Sequence, residues 1–191
     1  MSDGHHLILG ELIDFITGRP LPDTHDERYR QGIARLLVEK KGYAKSDIIS
    51  QYPLEVRAGD RCARVPVTFV VKPKEHIDMI IYYGPGSLVT RHRPALAMGR
   101  LVSAHQVPVV VVTNGEQADV LQGATGKVLD TGLQWIPDRQ RLAEIIHAGS
   151  WDAISPRQAE MESRIVMAFE VDDRCPCDDT VCTLAGRGDR I

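Results

Sequence analysis

The sequence predicts an α/β domain in which a helix, a three-strand meander, a second helix and a central strand follow in the order αβββαβ on a mixed sheet. Three observations predict it. Tyr29, Ile33, Leu36 and Leu37 recur at helical spacing until Gly42. Three segments rich in β-formers come next, divided by turn residues. Then Val107-Pro108-Val109-Val110-Val111-Val112-Thr113 runs on without polar alternation, as a strand covered on both faces does.

Taken in order, Thr24 followed three residues later by Glu27 reads as a capping box opening a helix over about residues 25 to 41. The meander occupies about 50 to 57, 62 to 71 and 76 to 83, with turns at Ala58-Gly59-Asp60 and Lys72-Pro73-Lys74-Glu75. Thr90 is placed to cap a helix from about 91 to 105 that keeps Pro94 in its first turn. After the valine strand and Asn114-Gly115, a short helix around 116 to 122, a strand around 127 to 131 and a helix from about 139 to 147, capped by Asp138, complete the body. Residues 149 to 155 read as a linker. Ser155, with Pro156 next and Gln158 three residues on, opens a last helix reaching about Val171.

At 191 residues the chain is long enough for one compact domain and an appendage, and too short for two full domains. This places a domain at 12–148 and a C-terminal helix with a cysteine-rich tail at 155–191. No apolar run reaches membrane-span length, and Met1-Ser2-Asp3-Gly4-His5-His6 has no signal-peptide pattern, so no membrane role and a cytoplasmic location are expected. His5 and His6 read as a polar terminus. Trp135 and Trp151 read as packing residues, since no aromatic interleaving accompanies a basic stretch.

The formal charge of −3 means that any attraction to nucleic acid must come from a local patch. One exists. From Met79 to Gly115 there is no Asp or Glu, while Arg91, Arg93 and Arg100 are joined by His92 and His105. A solvated helix face is the plain alternative to a DNA-binding one. Gly84-Pro85-Gly86-Ser87 precedes this helix and resembles an anion cradle, but it lacks the Gly-Lys-Ser/Thr ending of a phosphate loop, so a strand-to-helix turn is the simpler reading.

Four cysteines in such a chain argue against a disulfide framework. Cys175, Cys177 and Cys182 form Cys-x-Cys-x₄-Cys, a spacing that suits Zn²⁺ or an iron–sulfur cluster, with free or redox-active thiols as the alternative. Cys62 is either a distant fourth ligand or a small apolar residue packed in its strand.

Several stretches carry a family resemblance: Asp23-Thr24-His25-Asp26-Glu27-Arg28-Tyr29-Arg30-Gln31 leading to Gly42-Tyr43, the valine strand with Thr113-Asn114-Gly115, Thr125-Gly126-Lys127-Val128-Leu129, and Ile136-Pro137. In this order they make residues 12 to 145 resemble the N-terminal domain of type I restriction enzyme R subunits, within the PD-(D/E)xK nuclease superfamily. The chain looks like a degenerate, stand-alone member. The resemblance implies a restriction-endonuclease-like fold and a DNA endonuclease using Mg²⁺, held by an Asp in the second meander strand and the Glu of a Glu-x-Lys ending the third. The lysine would orient the attacking water.

Carried across residue by residue, those positions fall at Thr68, Tyr82 and Gly84, and none is retained. Glu27 matches a helix glutamate that lies near the metal in such nucleases, although the capping box also accounts for it. Glu55 and Asp78 are the other carboxylates near the expected pocket, with Asp78 on the face of Tyr82 if the strand is regular.

Three readings follow. The first is a domain that binds nucleic acid, through Arg91, Arg93 and Arg100, or a restriction-system or other protein partner, without cutting. The second is an active Mg²⁺-dependent endonuclease with ligands migrated to Glu27, Glu55 and Asp78. The third is a metal or redox module built on the cysteine tail.

Overall fold

The computed structural model describes residues 8–148, 152–172 and 182–184. The chain opens with a small hairpin, β1 (Glu11–Ile13) against β2 (Pro20–Pro22), which the sequence analysis did not anticipate. The hairpin is too short to show a period. Its turn is held by Asp14, whose Oδ1 accepts from the backbone N–H groups of Ile16 (2.9 Å) and Thr17 (2.6 Å).

Helix α1 (His25–Arg35) starts where expected, with Thr24 Oγ1 accepting from Glu27 N at 3.1 Å. The other half of the capping box is not made, because the Glu27 carboxylate turns to Arg30 and Gln31. The helix continues as a π-wound turn over Leu36–Lys40 and stops before Gly42, whose φ of +73° suits a glycine terminator.

The main sheet has seven strands. Its path is β3 (Ile48–Ala58), β4 (Arg61–Val71), β5 (Met79–Tyr83), β6 (Val109–Thr113), β7 (Ala118–Gln122) and β8 (Val128–Thr131), and β9 (Cys182–Leu184) also pairs with β4. Strands β5 and β6 pair in parallel and the remaining neighbours are antiparallel, so the sheet is mixed. The long β4 uses one end, Phe69–Val71, to pair β5 and the other, Cys62–Arg64, to pair β9.

A parallel neighbour requires a crossover. Helix α2 (Val89–Leu101) supplies it, and six consecutive residues from Pro94 to Gly99 are buried because α2 lies between the sheet and α4 (Pro156–Val166). A Cβ on Gly99 would meet Val110 Cγ2 at 2.6 Å, so the glycine permits this close approach.

The apolar residues divide between two faces. Ile80, Tyr82, Val110 and Val112 pack with Leu96, Met98, Val166 and Met167 under α2 and α4. Met79, Ile81, Tyr83, Val109 and Val111 pack with Ile33, Leu37, Ile136 and Leu142 under α1 and α3 (Arg139–Ala148). All five residues of β5 and all five of β6 are buried. Full burial of such side chains stabilises by about 1.5–3 kcal/mol each.

Three expectations are corrected. Residues 118 to 122 form strand β7, not a helix: Asn114 Oδ1 accepts from Glu116 N and Gln117 N, Gly115 takes φ +91°, and this tight turn returns the chain along β6. Asn-Gly hairpin chemistry and ladder pairing override the helix propensity of Ala118 and Leu121. Helix α2 starts at Val89 after Leu88, and Thr90 donates its hydroxyl to Ser87 O at 3.0 Å without capping. Pro94 therefore lies beyond the first turn, where it removes the helical bond to the Thr90 carbonyl. Helix α4 begins as expected, Ser155 Oγ accepting from Gln158 N at 3.2 Å.

Strict alternation along β4 would put Val65, Val67, Phe69 and Val71 on one face. Instead Val65 and Val67 face α2 and α4, while Phe69 and Val71 face α1 and α3. The strand turns over at Thr68. Across from it, between the pairs Ser50↔Phe69 and Tyr52↔Val67, Gln51 takes φ +51°, the one positive φ at a non-glycine residue among the described residues. Left-handed backbone at an L-residue costs about 1–2 kcal/mol. Gln51→Val, β-branched, is expected to lower stability to urea by about that amount, and Gln51→Gly to match or exceed the wild type; equal losses for both would show that the turnover does not depend on this conformation.

Candidate functional site

The end of β5 is where the sequence resemblance locates catalysis. Thr68 and Tyr83 meet directly there: Thr68 Oγ1 accepts from Tyr83 N at 3.0 Å, extending the β4–β5 ladder by one side-chain bond. Thr68 is buried and spends its hydroxyl on backbone. Tyr82 and Tyr83 then point to opposite faces of the sheet.

Tyr82 is 5% exposed, and its hydroxyl donates to Glu170 Oε1 at 2.8 Å, from the π-wound turn Met167–Asp172 that extends α4. Arg91 Nη1 donates to the Tyr82 hydroxyl oxygen at 3.5 Å. Burial, then the Glu170 carboxylate, pushes the Tyr82 phenol well above its ordinary value. A Cβ on Gly84 would lie 3.2 Å from Tyr82 Cε1 and 3.4 Å from Arg91 Nε, so the ring and the guanidinium crowd the space a lysine at this position would need.

On the other face Tyr83 donates to Asp26 Oδ1 at 2.8 Å and stacks on Tyr29, with ring centroids 6.2 Å apart and planes at 25°. The Arg30 guanidinium lies 5.8 Å from the Tyr83 ring centre. Burial, then Asp26, raises the Tyr83 phenol as well. Tyr29 in turn donates to Glu116 Oε1 at 2.8 Å across the Gly115 turn.

Glu27 sits beside this cluster, buried on α1. Its Oε2 accepts from Arg30, with a closest ion-pair distance of 2.8 Å, and its Oε1 accepts from Gln31 Nε2 at 2.8 Å. Gln31 Nε2 also donates to Asp14 Oδ2 at 3.1 Å, and Gln31 Oε1 accepts from Phe15 N at 2.7 Å. Burial pushes the Asp14 carboxyl up, but the hydrogen bonds from Thr17, Gln31 and Ile16 outweigh it and hold the group below the usual range. Asp14 and Gln31 were missed in the sequence. A single Asp in a short hairpin gives no periodic signal, and Gln31 reads as an ordinary helix residue.

Glu55 is elsewhere. It is exposed on β3 and pairs with Arg64 at 2.9 Å, which lowers its pKa through that hydrogen bond and charge. Asp78 precedes β5 and lines a cleft with Leu142 and Ile146 of α3, on the side opposite Tyr82. It is also about 13 Å away along the strand, four residues at about 3.3 Å each. The expectation that Asp78 shares the face of Tyr82 is therefore corrected: the strand proper starts only at Met79. Glu27, Glu55 and Asp78 occupy three separate surroundings. Among the described residues no three His, Cys, Asp or Glu side chains converge to hold a metal.

The arginines of α2 face α4. Glu162, 2% exposed, accepts from Arg93 Nη1 at 2.5 Å through Oε2 and from Arg100 Nη1 at 2.7 Å through Oε1. Arg100 also donates to Ala124 O at 2.9 Å, and its Nε is buried without a partner. Arg93 keeps 42% of its side chain exposed, against 13% for Arg100. His92 Nε2 lies 2.8 Å from Asp119 Oδ2.

Of the cysteines, Cys62 is buried and has no disulfide partner among the described residues. Cys175 and Cys177 lie outside the described residues. Cys182 belongs to β9, its backbone in register with Arg64. No helix among the described residues is long and apolar enough to cross a membrane.

Asp78 yields a pH prediction. It is 6% exposed, and burial pushes its pKa from 3.8 up to about 6, against the opposing pull of His76 and Lys74. A folded-state pKa above the unfolded value means stability that is full below about pH 4 and lost as pH rises through about 6. Asp78→Asn removes that loss. In urea unfolding the variant should gain on the wild type between about pH 4 and 7, by on the order of 1–3 kcal/mol at neutrality; a pH-independent difference would contradict the shift.

Compared with known proteins, residues 25–137 match the family described as type I restriction enzyme R protein N terminus. No curated protein and no solved structure matches. The match takes in α1, the meander, the α2 crossover and the sheet as far as Ile136-Pro137, the stretches singled out from sequence. Because it spans more than half of the chain, the chain belongs to the family of type I restriction enzyme R protein N-terminal domains.

Proposed function

We propose that this chain is a non-cleaving domain of the PD-(D/E)xK type that binds DNA through the arginines of α2. The observation carrying the proposal is the content of the three catalytic positions. Thr68 bonds backbone, the Tyr82 hydroxyl is held by Glu170, and Gly84 is crowded by Tyr82 and Arg91. A phosphodiesterase of this type needs carboxylates to hold Mg²⁺ and a cation to screen the scissile phosphate. An aromatic ring and a glycine supply neither. The acids offered for a migrated site, Glu27, Glu55 and Asp78, lie apart, which weighs against the active-nuclease reading.

DNA phosphates would meet Arg91 and Arg93 at the start of α2, where Glu162 already neutralises part of the charge. Arg100, held by both Glu162 and the Ala124 carbonyl, contributes more to structure than to contact.

A second reading, a soft-metal or redox site on Cys175, Cys177 and Cys182, is favoured by one observation: β9 returns the tail to β4, placing Leu184 opposite Cys62. Stoichiometric Zn or Fe in anaerobically purified protein supports it, and metal-free protein with normal folding ends it.

The DNA reading makes two predictions. Purified protein with plasmid and Mg²⁺ or Mn²⁺ should give no nicking, and nicking abolished by Asp78→Ala would overturn the non-cleaving assignment. In filter binding, affinity should fall with salt at a log–log slope of about −2 to −3. Arg91→Glu and Arg93→Glu should each weaken binding roughly tenfold, while Glu162→Gln should strengthen it. Affinity indifferent to both salt and charge reversal would exclude DNA as the ligand.

A further inference from the structure

A second concave site lies on the α1 and α3 side of the sheet, away from α2. The loop leading into β5 and the exposed flank of α3 enclose a cleft of about 250 Å³. Asp78 lines it, is 6% exposed and accepts no side-chain hydrogen bond among the described residues, while its carboxylate oxygens are not sealed from solvent. A largely buried carboxylate that no protein donor holds is left to solvent or to a ligand that carries a donor. Of the candidate residues described above, Asp78 alone lines the cleft.

The walls say what kind of ligand would satisfy it. Leu142, Ala143 and Ile146 of α3, with Pro73, supply the apolar lining. Lys74 from the loop and Arg139 from the start of α3 give the lining two cations. Arg139 is 3.6 Å from Asp47 and keeps 54% of its side chain exposed, so donors remain for a second anion. His76 and His147 complete the lining. A simple cation would suit Asp78 but meet two positive charges on entering. A simple anion would suit the two cations but leave Asp78 without a partner. The volume is also below the roughly 300–1,000 Å³ of sites for drug-sized ligands.

We infer that this cleft binds a small zwitterion, an α-amino acid with an apolar side chain, whose ammonium pairs with Asp78, whose carboxylate meets Arg139 and Lys74, and whose side chain lies on Leu142 and Ile146. The three chemical features of such a molecule match the carboxylate, the cations and the apolar residues of the lining. This site stands independently of DNA binding, since none of its residues belongs to α2 or α4.

Titration calorimetry of the full chain with L-leucine tests it, alongside two analogues that each lack one charge: leucinamide, without the carboxylate, and 4-methylvalerate, without the ammonium. Saturable binding of L-leucine is expected, with both analogues at least about tenfold weaker. Asp78→Asn should abolish it, Ile146→Trp should abolish it by filling the cleft, and Arg93→Glu should leave it unchanged while weakening DNA binding. Circular dichroism checks that each variant is folded. The inference is overturned by no saturable heat up to roughly 10 mM L-leucine, by leucinamide or 4-methylvalerate binding as well as L-leucine, or by unchanged binding in folded Asp78→Asn.

Discussion

The parallel pairing of β5 with β6 is the constraint on which the rest of the molecule depends. A parallel neighbour requires a crossover helix, and two adjacent strands buried on both faces require cover from both sides. Helices α2 and α4 provide one cover, α1 and α3 the other. Since every residue of β5 is buried, any polar group on that strand must find a partner inside the fold. The two tyrosine hydroxyls do so in opposite directions, Tyr82 reaching Glu170 and Tyr83 reaching Asp26.

That arrangement explains how a strand end that the family resemblance assigns to catalysis is used here for packing. The ring of Tyr82 joins the apolar face beneath α4, and its hydroxyl ties down the extension of that helix. Glu162, four residues before the helix ends, does the same for the arginines of α2. Breaking a buried pair of this kind by removing one partner costs about 3–5 kcal/mol, because the remaining charge is left in a poor dielectric. The C-terminal helix is thus integral to this face, and the charge it places on Arg93 and Arg100 tempers whatever those residues offer to phosphate.

Much of the fold was legible in the sequence for a simple reason. Val109 to Thr113 is apolar without alternation, and strands buried on both faces are the ones that composition alone reveals. Helix α4 was legible because Ser155, Pro156 and Gln158 carry cap chemistry within four residues. Residues 118 to 122 were misread because Ala118 and Leu121 suit either element, and only pairing with β6 decides between them. The turnover at Gln51 and Thr68 was illegible, since nothing in Gln51 itself announces a left-handed backbone. At the site, the positions Thr68, Tyr82 and Gly84 could be named from the resemblance, but their partners could not. Glu162 and Glu170 lie more than sixty residues from the groups they hold, and distant pairings of that kind leave no local pattern. The cleft beside Asp78 was equally hidden, because the grouping of its lining residues is a property of the folded chain.

We propose that the end of β5, where the family resemblance locates catalysis, has exchanged metal ligation for internal hydrogen bonding. Paramagnetic resonance of added Mn²⁺ tests this most directly, because the free ion's signal is lost on binding to a protein site and Mn²⁺ prefers the carboxylates a nuclease would offer. The account predicts that the free Mn²⁺ signal persists in full with the wild-type chain and with Glu27→Gln alike. Saturable uptake of one or more Mn²⁺ per chain, lost in Glu27→Gln, would contradict it.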